Sequence, residues 1–137
     1  MGTQIFVNLP VKDLDRSIAF FTKLGYTFNP QFTDHKATCM VVSDHIYFML
    51  IVEDFFQTFT RKPIADANQV TEAILCLSAE SREAVDEITR KAVEAGGSIP
   101  REAEDHGWMY TKGFQDLDGH LWEYIYMEKE EAVPTAN

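Results

Sequence analysis

Cysteine, basic residues and long apolar runs are all scarce in this chain. Two cysteines, Cys39 and Cys76, occur in 137 residues. Both fall in strand-like stretches, so buried free thiols of a reducing compartment are expected rather than a disulfide framework. Twelve Lys and Arg stand against twenty-two Asp and Glu, a net charge of −10 and an isoelectric point near 4.7. A nucleic-acid partner is not expected, because phosphate contacts require a basic surface. No apolar run approaches the length of a membrane span, and the first residues lack the basic-then-apolar pattern of a signal peptide. A cytoplasmic protein with no membrane partner is expected. Walker, Cys-x-x-Cys and Ser-His-Asp patterns are also missing, which argues against P-loop nucleotide binding, dithiol redox chemistry and common hydrolase mechanisms.

What is present suits one domain-sized globular unit. Hydrophobic residues make up 45% and aromatic residues 12%, enough for a core at this length. Gln4 to Val11 alternates as a strand, Asp13 caps a helix from Leu14 to Leu24, and Gly25 closes it. Strands are predicted at Tyr26 to Phe28, Ala37 to Val42 and Ile46 to Val52, the last two joined by Ser43-Asp44. Glu53 to Lys62 reads as a short amphipathic helix and Pro63 to Asn68 as a linker. The order then repeats. A strand at Val70 to Leu77 is followed by a helix at Ser81 to Ala95 stopped by Gly96-Gly97. Strands follow near Ser98 to Ile99, at Trp108 to Gln115 and at Leu121 to Met127. Residues 128 to 137 read as a frayed tail. The expectation is α+β: one domain of two βαβββ modules (4 to 52 and 69 to 127, with 53 to 68 between them) sharing a cupped mixed sheet with helices on its convex face.

The most informative stretch is Phe114-Gln115-Asp116-Leu117-Asp118-Gly119-His120-Leu121-Trp122-Glu123. Asp side chains bond nearby backbone and Gly accepts the positive φ of a tight reversal, so the segment reads as a β-hairpin. Glu123 lies among Leu121, Trp122, Tyr124 and Ile125, where an ionised carboxylate is costly unless paired. It is therefore a ligand, a base or half of an ion pair.

Together, Val11-Lys12-Asp13-Leu14, Phe20-Phe21, Leu24-Gly25 and Asp116-x-Asp118-Gly119-His120-x-x-Glu123 resemble the vicinal oxygen chelate superfamily. That group includes glyoxalase I, extradiol dioxygenases, and fosfomycin- and bleomycin-resistance proteins. The resemblance runs from Gln4 to about Met127. It implies paired βαβββ modules around a cleft, with metal ligands on the first and last strands of each module in the metalloenzymes. Aligning His45-Ile46-Tyr47-Phe48 with His120-Leu121-Trp122-Glu123 carries those positions onto Phe6, Phe48, Glu72 and Glu123. Only Glu123 keeps the family's choice. A benzyl group has no lone pair, so two positions cannot ligate. No tightly held transition metal is expected, a weakly bound Mg²⁺ or Mn²⁺ between Glu72 and Glu123 being the alternative.

Strand alternation then supplies a cleft lining: Phe6, Asn8, Ile46, Phe48, Leu50, Glu72, Ile74, Cys76, Leu121, Glu123 and Ile125. Such an apolar cup with a few polar groups suits a small molecule. Two carboxylates inside it would repel and share a proton, or be bridged by a cation, a water, an Arg or a Lys. Of the histidines, His106 is the candidate ligand contact, from a Gly-containing loop; His35, His45 and His120 read as surface or turn residues. Phe55-Phe56-x-x-Phe59 reads as a packed amphipathic helix, or alternatively as a lid. The leading expectation is a binder of a small cationic or amphipathic molecule, acting as a homodimer without a transition metal. The alternatives are a metal-dependent glyoxalase-type lyase or dioxygenase, and a metal-free lyase or isomerase with Glu123 as base.

Overall fold

The computed structural model describes residues 2–128; the remainder of the expected tail lies outside them. The chain divides into two compact units, residues 1–66 and 67–137. In the first, β1 (Ile5–Val11) leads through α1 (Leu14–Lys23) to β2 (Thr27–Asn29), β3 (Ala37–Val41) and β4 (Ile46–Val52), with α2 (Glu53–Phe56) after them. The second has β5 (Ile74–Ser78), α3 (Arg82–Glu94), β6 (Glu104–Asp105), β7 (Met109–Gln115) and β8 (Leu121–Met127). The sheet orders, β1-β4-β3-β2 and β5-β8-β7-β6, are the same topology twice. In each sheet the first strand pairs in parallel with the last and the other pairs are antiparallel. The structure is thus α+β, with two βαβββ modules forming mixed four-stranded sheets.

Local chemistry accounts for the element ends. The Asp13 side chain accepts from the Arg16 amide and caps α1, and Ser81 accepts from the Ala84 amide to cap α3, each satisfying one of the first-turn N–H groups. The segment after β4 is less helical than its apolar spacing suggests. Four residues of α-helix give way to a 3₁₀ turn at Gln57–Phe59, where the Gln57 side chain donates to the carbonyls of Thr60 and Lys62 and turns the chain.

Two further strand expectations are corrected, and one strand was not expected. β5 begins at Ile74, because Val70 stays exposed and finds no strand partner among the described residues. Ser98 makes only an isolated bridge to Gln115. The short strand β6 carries no hydrophobic alternation and its sequence gives no sign of it.

The hairpin between β7 and β8 forms as its residues dictate. Asp116 Oδ1 accepts from the amides of Asp118 (2.9 Å) and His120 (3.0 Å), and Oδ2 accepts from Trp122 Nε1 at 2.9 Å. Gly119 supplies φ +93°. The buried Asp116 carboxylate therefore closes the turn and holds the core tryptophan, a charged hydrogen bond of about 1.5–3 kcal/mol. Burial pushes its pKa up, opposed by the charge of His120 and then by these donors.

Candidate functional site

Side-chain faces follow from register. In the second unit the Tyr110 hydroxyl donates to Asp86 of α3 at 2.5 Å, so Tyr110 marks the helix-bearing face. Alternation places Phe114, Trp122 and Tyr124 on that face, all at most 3% exposed. The opposite, open face carries Ile74, Cys76, Leu121, Glu123, Ile125, Thr111 and Gly113. Gly113 faces Glu123 in the register, and a Cβ there would lie 2.3 Å from the Trp122 carbonyl oxygen. Only glycine permits this close approach of β7 to β8.

Glu123 is the polar centre of the open face. Its side chain is 20% exposed and Oε2 lies 2.7 Å from Nη2 of Arg101. Arg101 Nη1 stands 3.2 Å from Glu104 Oε1. These bonds, Glu123's first, hold the guanidinium pKa above its ordinary value. Of the three roles open to Glu123, the structure provides half of an ion pair. The arginine that completes it sits in an irregular segment before β6, where no motif pointed to it.

Cys76 lies beside Glu123 in the β5–β8 register. It is exposed as a residue, yet neighbouring atoms partly desolvate its thiol. That desolvation first, and then the charge of Glu123, push its thiol pKa up. Cys76 therefore presents a neutral thiol rather than a thiolate nucleophile.

Glu72 is not a second carboxylate within the sheet. It lies in an exposed bend two residues before β5, so it leaves Glu123 with Arg101 as its partner.

In the first unit the expected lining divides between two faces. Phe6 pairs with Tyr47, and their rings stack at 4.8 Å and 10°. Phe6 is 52% exposed, and Asn8 shares its side. Phe48 and Leu50 instead register with Val7 and Leu9 and are buried, at 3% and 1%; Ile46 follows the same parity. The connection from β3 to β4 has four residues, Val42 to His45, whereas that from β7 to β8 has five, Asp116 to His120. Matching His45 to His120 therefore slips the strands by one residue, which exchanges the two faces. Tyr47, rather than Phe48, shares the parity of Phe6.

The remaining candidates are placed as follows. His106 is exposed in the loop between β6 and β7, its amide donating to the Met109 carbonyl. Arg82 of α3 fastens that loop by donating to Asp105 (2.7 Å) and to the Gly107 carbonyl (2.8 Å). His45 lies in the β3–β4 turn, where its carbonyl accepts from the Ile5 amide; His120 belongs to the Asp116 hairpin, and His35 is exposed. Phe55 and Phe59 meet edge-on at 5.0 Å, with the Lys36 ammonium 5.2 Å from the Phe55 ring. The first unit also has a recess of about 440 Å³ lined by Lys12, Glu53, Asp54, Gln57 and residues 63–66, none of them a candidate from the sequence.

A transition metal does not fit the donor set. Phe6 offers no lone pair, Phe48 is core, Glu72 stands outside the strand, and Glu123 already faces a guanidinium. Among the described residues no three His, Cys, Asp or Glu side chains are grouped to hold an ion. No described helix is long and apolar enough to cross a membrane.

Comparison with known proteins agrees with this architecture. Residues 3–43 match the family model for a bleomycin resistance protein-like N-terminal region. No curated protein matches the sequence. Among solved structures, a hypothetical protein, SA1046, from S. aureus is 27% identical with a TM-score of 0.78, over 92% of this chain and 94% of that one. A glyoxalase/bleomycin resistance protein/dioxygenase family enzyme from Burkholderia phytofirmans PsJN is 13% identical with a TM-score of 0.76, over 92% and 99%. The fosfomycin resistance protein FosX of Listeria monocytogenes is 20% identical with a TM-score of 0.66, over 95% and 94%. The chain is thus similar over residues 3–43 to the bleomycin resistance protein-like N-terminal region, and over both modules it shares the fold of glyoxalase/bleomycin resistance/dioxygenase structures.

Proposed function

We propose that this protein binds a small amphipathic or cationic organic molecule on the open face of its second module, with Glu123 as the polar anchor and without a transition metal. The observation that carries the reading is a largely buried carboxylate set among Ile74, Leu121 and Ile125, its charge met by an arginine. Apolar surface with one directional charged group is the usual composition of a small-molecule site. The match of residues 3–43 to a bleomycin resistance protein-like N-terminal region supports a binding role. A homodimer completes the proposal. Strands β1 and β5 are sheet edges, and Ile5, Phe6 and Ile74 on them are each more than half exposed, a combination that pairing with another chain would cover.

The test is a thermal-shift screen of aromatic ammonium compounds, their neutral isosteres, and Mg²⁺, Mn²⁺, Ni²⁺ and Zn²⁺. The reading expects stabilisation by organic compounds with the metals inert. Stoichiometric stabilisation by Ni²⁺ or Zn²⁺ would restore the metal-dependent lyase. Light scattering at micromolar concentration tests the dimer, and a monomer mass would remove it.

A further inference from the structure

Two arginines serve the segment around β6 in different ways. Arg82 is fixed: it bonds the Asp105 carboxylate and the Gly107 carbonyl, and its guanidinium lies 5.2 Å from the Tyr110 ring centre. Among the described residues Arg101 is held by two carboxylates, Glu123 at 2.7 Å and Glu104 at 3.2 Å, with its side chain 54% exposed. It extends from an irregular segment between the Ser98 bridge and β6, without a helix or strand to position it.

We propose that Arg101 is an exchangeable counter-ion, a built-in cation that the ammonium, amidinium or guanidinium group of a ligand displaces from Glu123. This rests on the small-molecule reading above and adds the means by which the face selects its ligand. Three features carry it. Glu123 lies deeper than Arg101, so a ligand whose apolar part covers Ile74, Leu121 and Ile125 brings its own cation to the carboxylate from the apolar side. Glu104 already touches the other nitrogen of the guanidinium, so the displaced side chain keeps a partner. The triad of two carboxylates and one guanidinium carries a net −1, which a second cation neutralises and which an anionic ligand would worsen. The net charge of the chain, −10, draws cations toward the surface in the same sense.

The mechanism predicts an unusual sign: removing a residue from the site strengthens binding. Titration calorimetry at low salt would use 1-naphthylmethylammonium and its neutral counterpart 1-naphthalenemethanol as probes on the full chain. The wild type is expected to prefer the ammonium. Arg101→Ala should bind the ammonium about fivefold more tightly, the scale of one exposed ion pair removed from competition, and leave the alcohol unchanged. Arg101→Lys, which retains a competing cation, should stay near the wild type. Glu123→Gln should abolish the preference. Equal binding of both probes by the wild type, or weaker ammonium binding by Arg101→Ala, would overturn the exchange while leaving small-molecule binding intact. If neither probe binds any variant at millimolar concentration, the binding reading fails together with the exchange.

Discussion

The two modules share one topology but use the open sides of their strands differently. In the first, the corresponding pair is an aromatic stack, Phe6 on Tyr47. In the second, Glu123 beside Cys76 is neutralised by Arg101. On the buried sides they converge, Phe48 and Leu50 in one sheet and Trp122 and Tyr124 in the other. The scaffold constrains its core sides to large apolar residues, whereas the open sides vary, one apolar and one charged. Chemistry on this fold therefore has to be sought one face at a time.

The largest expected effect tests which side is core. Phe48→Glu places an unpaired carboxylate in a sealed interior and should cost more than about 4 kcal/mol, enough to unfold the first module. Tyr47→Glu, one residue away on the open side, should cost about 1 kcal/mol. Urea unfolding monitored by circular dichroism ranks the two, and the reverse order would refute the register. Next in size is Gly113→Ala, whose methyl meets the Trp122 carbonyl at 2.3 Å. Overpacking of this kind costs about 1–3 kcal/mol, so a shortfall in the urea midpoint is expected. An unchanged midpoint would show that the strands separate easily.

The thiols sharpen the comparison further. Burial raises the pKa of Cys39, and shielding plus the charge of Glu123 raise that of Cys76. A raised thiol pKa means less thiolate at a given pH, so both should alkylate more slowly than a free cysteine at pH 8, with Cys76 the faster because it is exposed. Glu123→Gln removes a negative charge, lowers the Cys76 pKa and should speed its iodoacetamide labelling without affecting Cys39. Mass spectrometry of the two peptides reads this directly; equal acceleration at both thiols would point to general loosening instead. The smallest effect is expected from Arg101→Ala, which removes an exposed side chain but leaves the Glu123 carboxylate without its arginine and should lower the urea midpoint slightly.

Much of this frame was legible in the sequence. β4 and β8 run over the predicted residues because each is a dense β-branched and aromatic run between turn residues. The Asp116 hairpin was readable because Asx turns and a positive-φ glycine leave few alternatives. Val70 misled because β-propensity does not supply a strand partner. The face of Phe48 was misread because a one-residue difference in loop length is silent in hydrophobic patterning yet reverses side-chain parity. Glu72 looked like the counterpart of Phe6 by its distance from Leu77, but its strand starts two residues too late. Arg101 was missed because an ion pair between an irregular segment and a strand 22 residues later has no periodic signature.

The central claim is that Glu123 anchors a small molecule without a metal. Calorimetry of 1-naphthylmethylammonium binding to chelator-treated protein, with and without added Ni²⁺, Zn²⁺, Fe²⁺ or Mn²⁺, tests it most directly. The account predicts binding that is indifferent to metal and lost in Glu123→Gln. Binding that appears only when a metal is restored, or that survives Glu123→Gln unchanged, would contradict it.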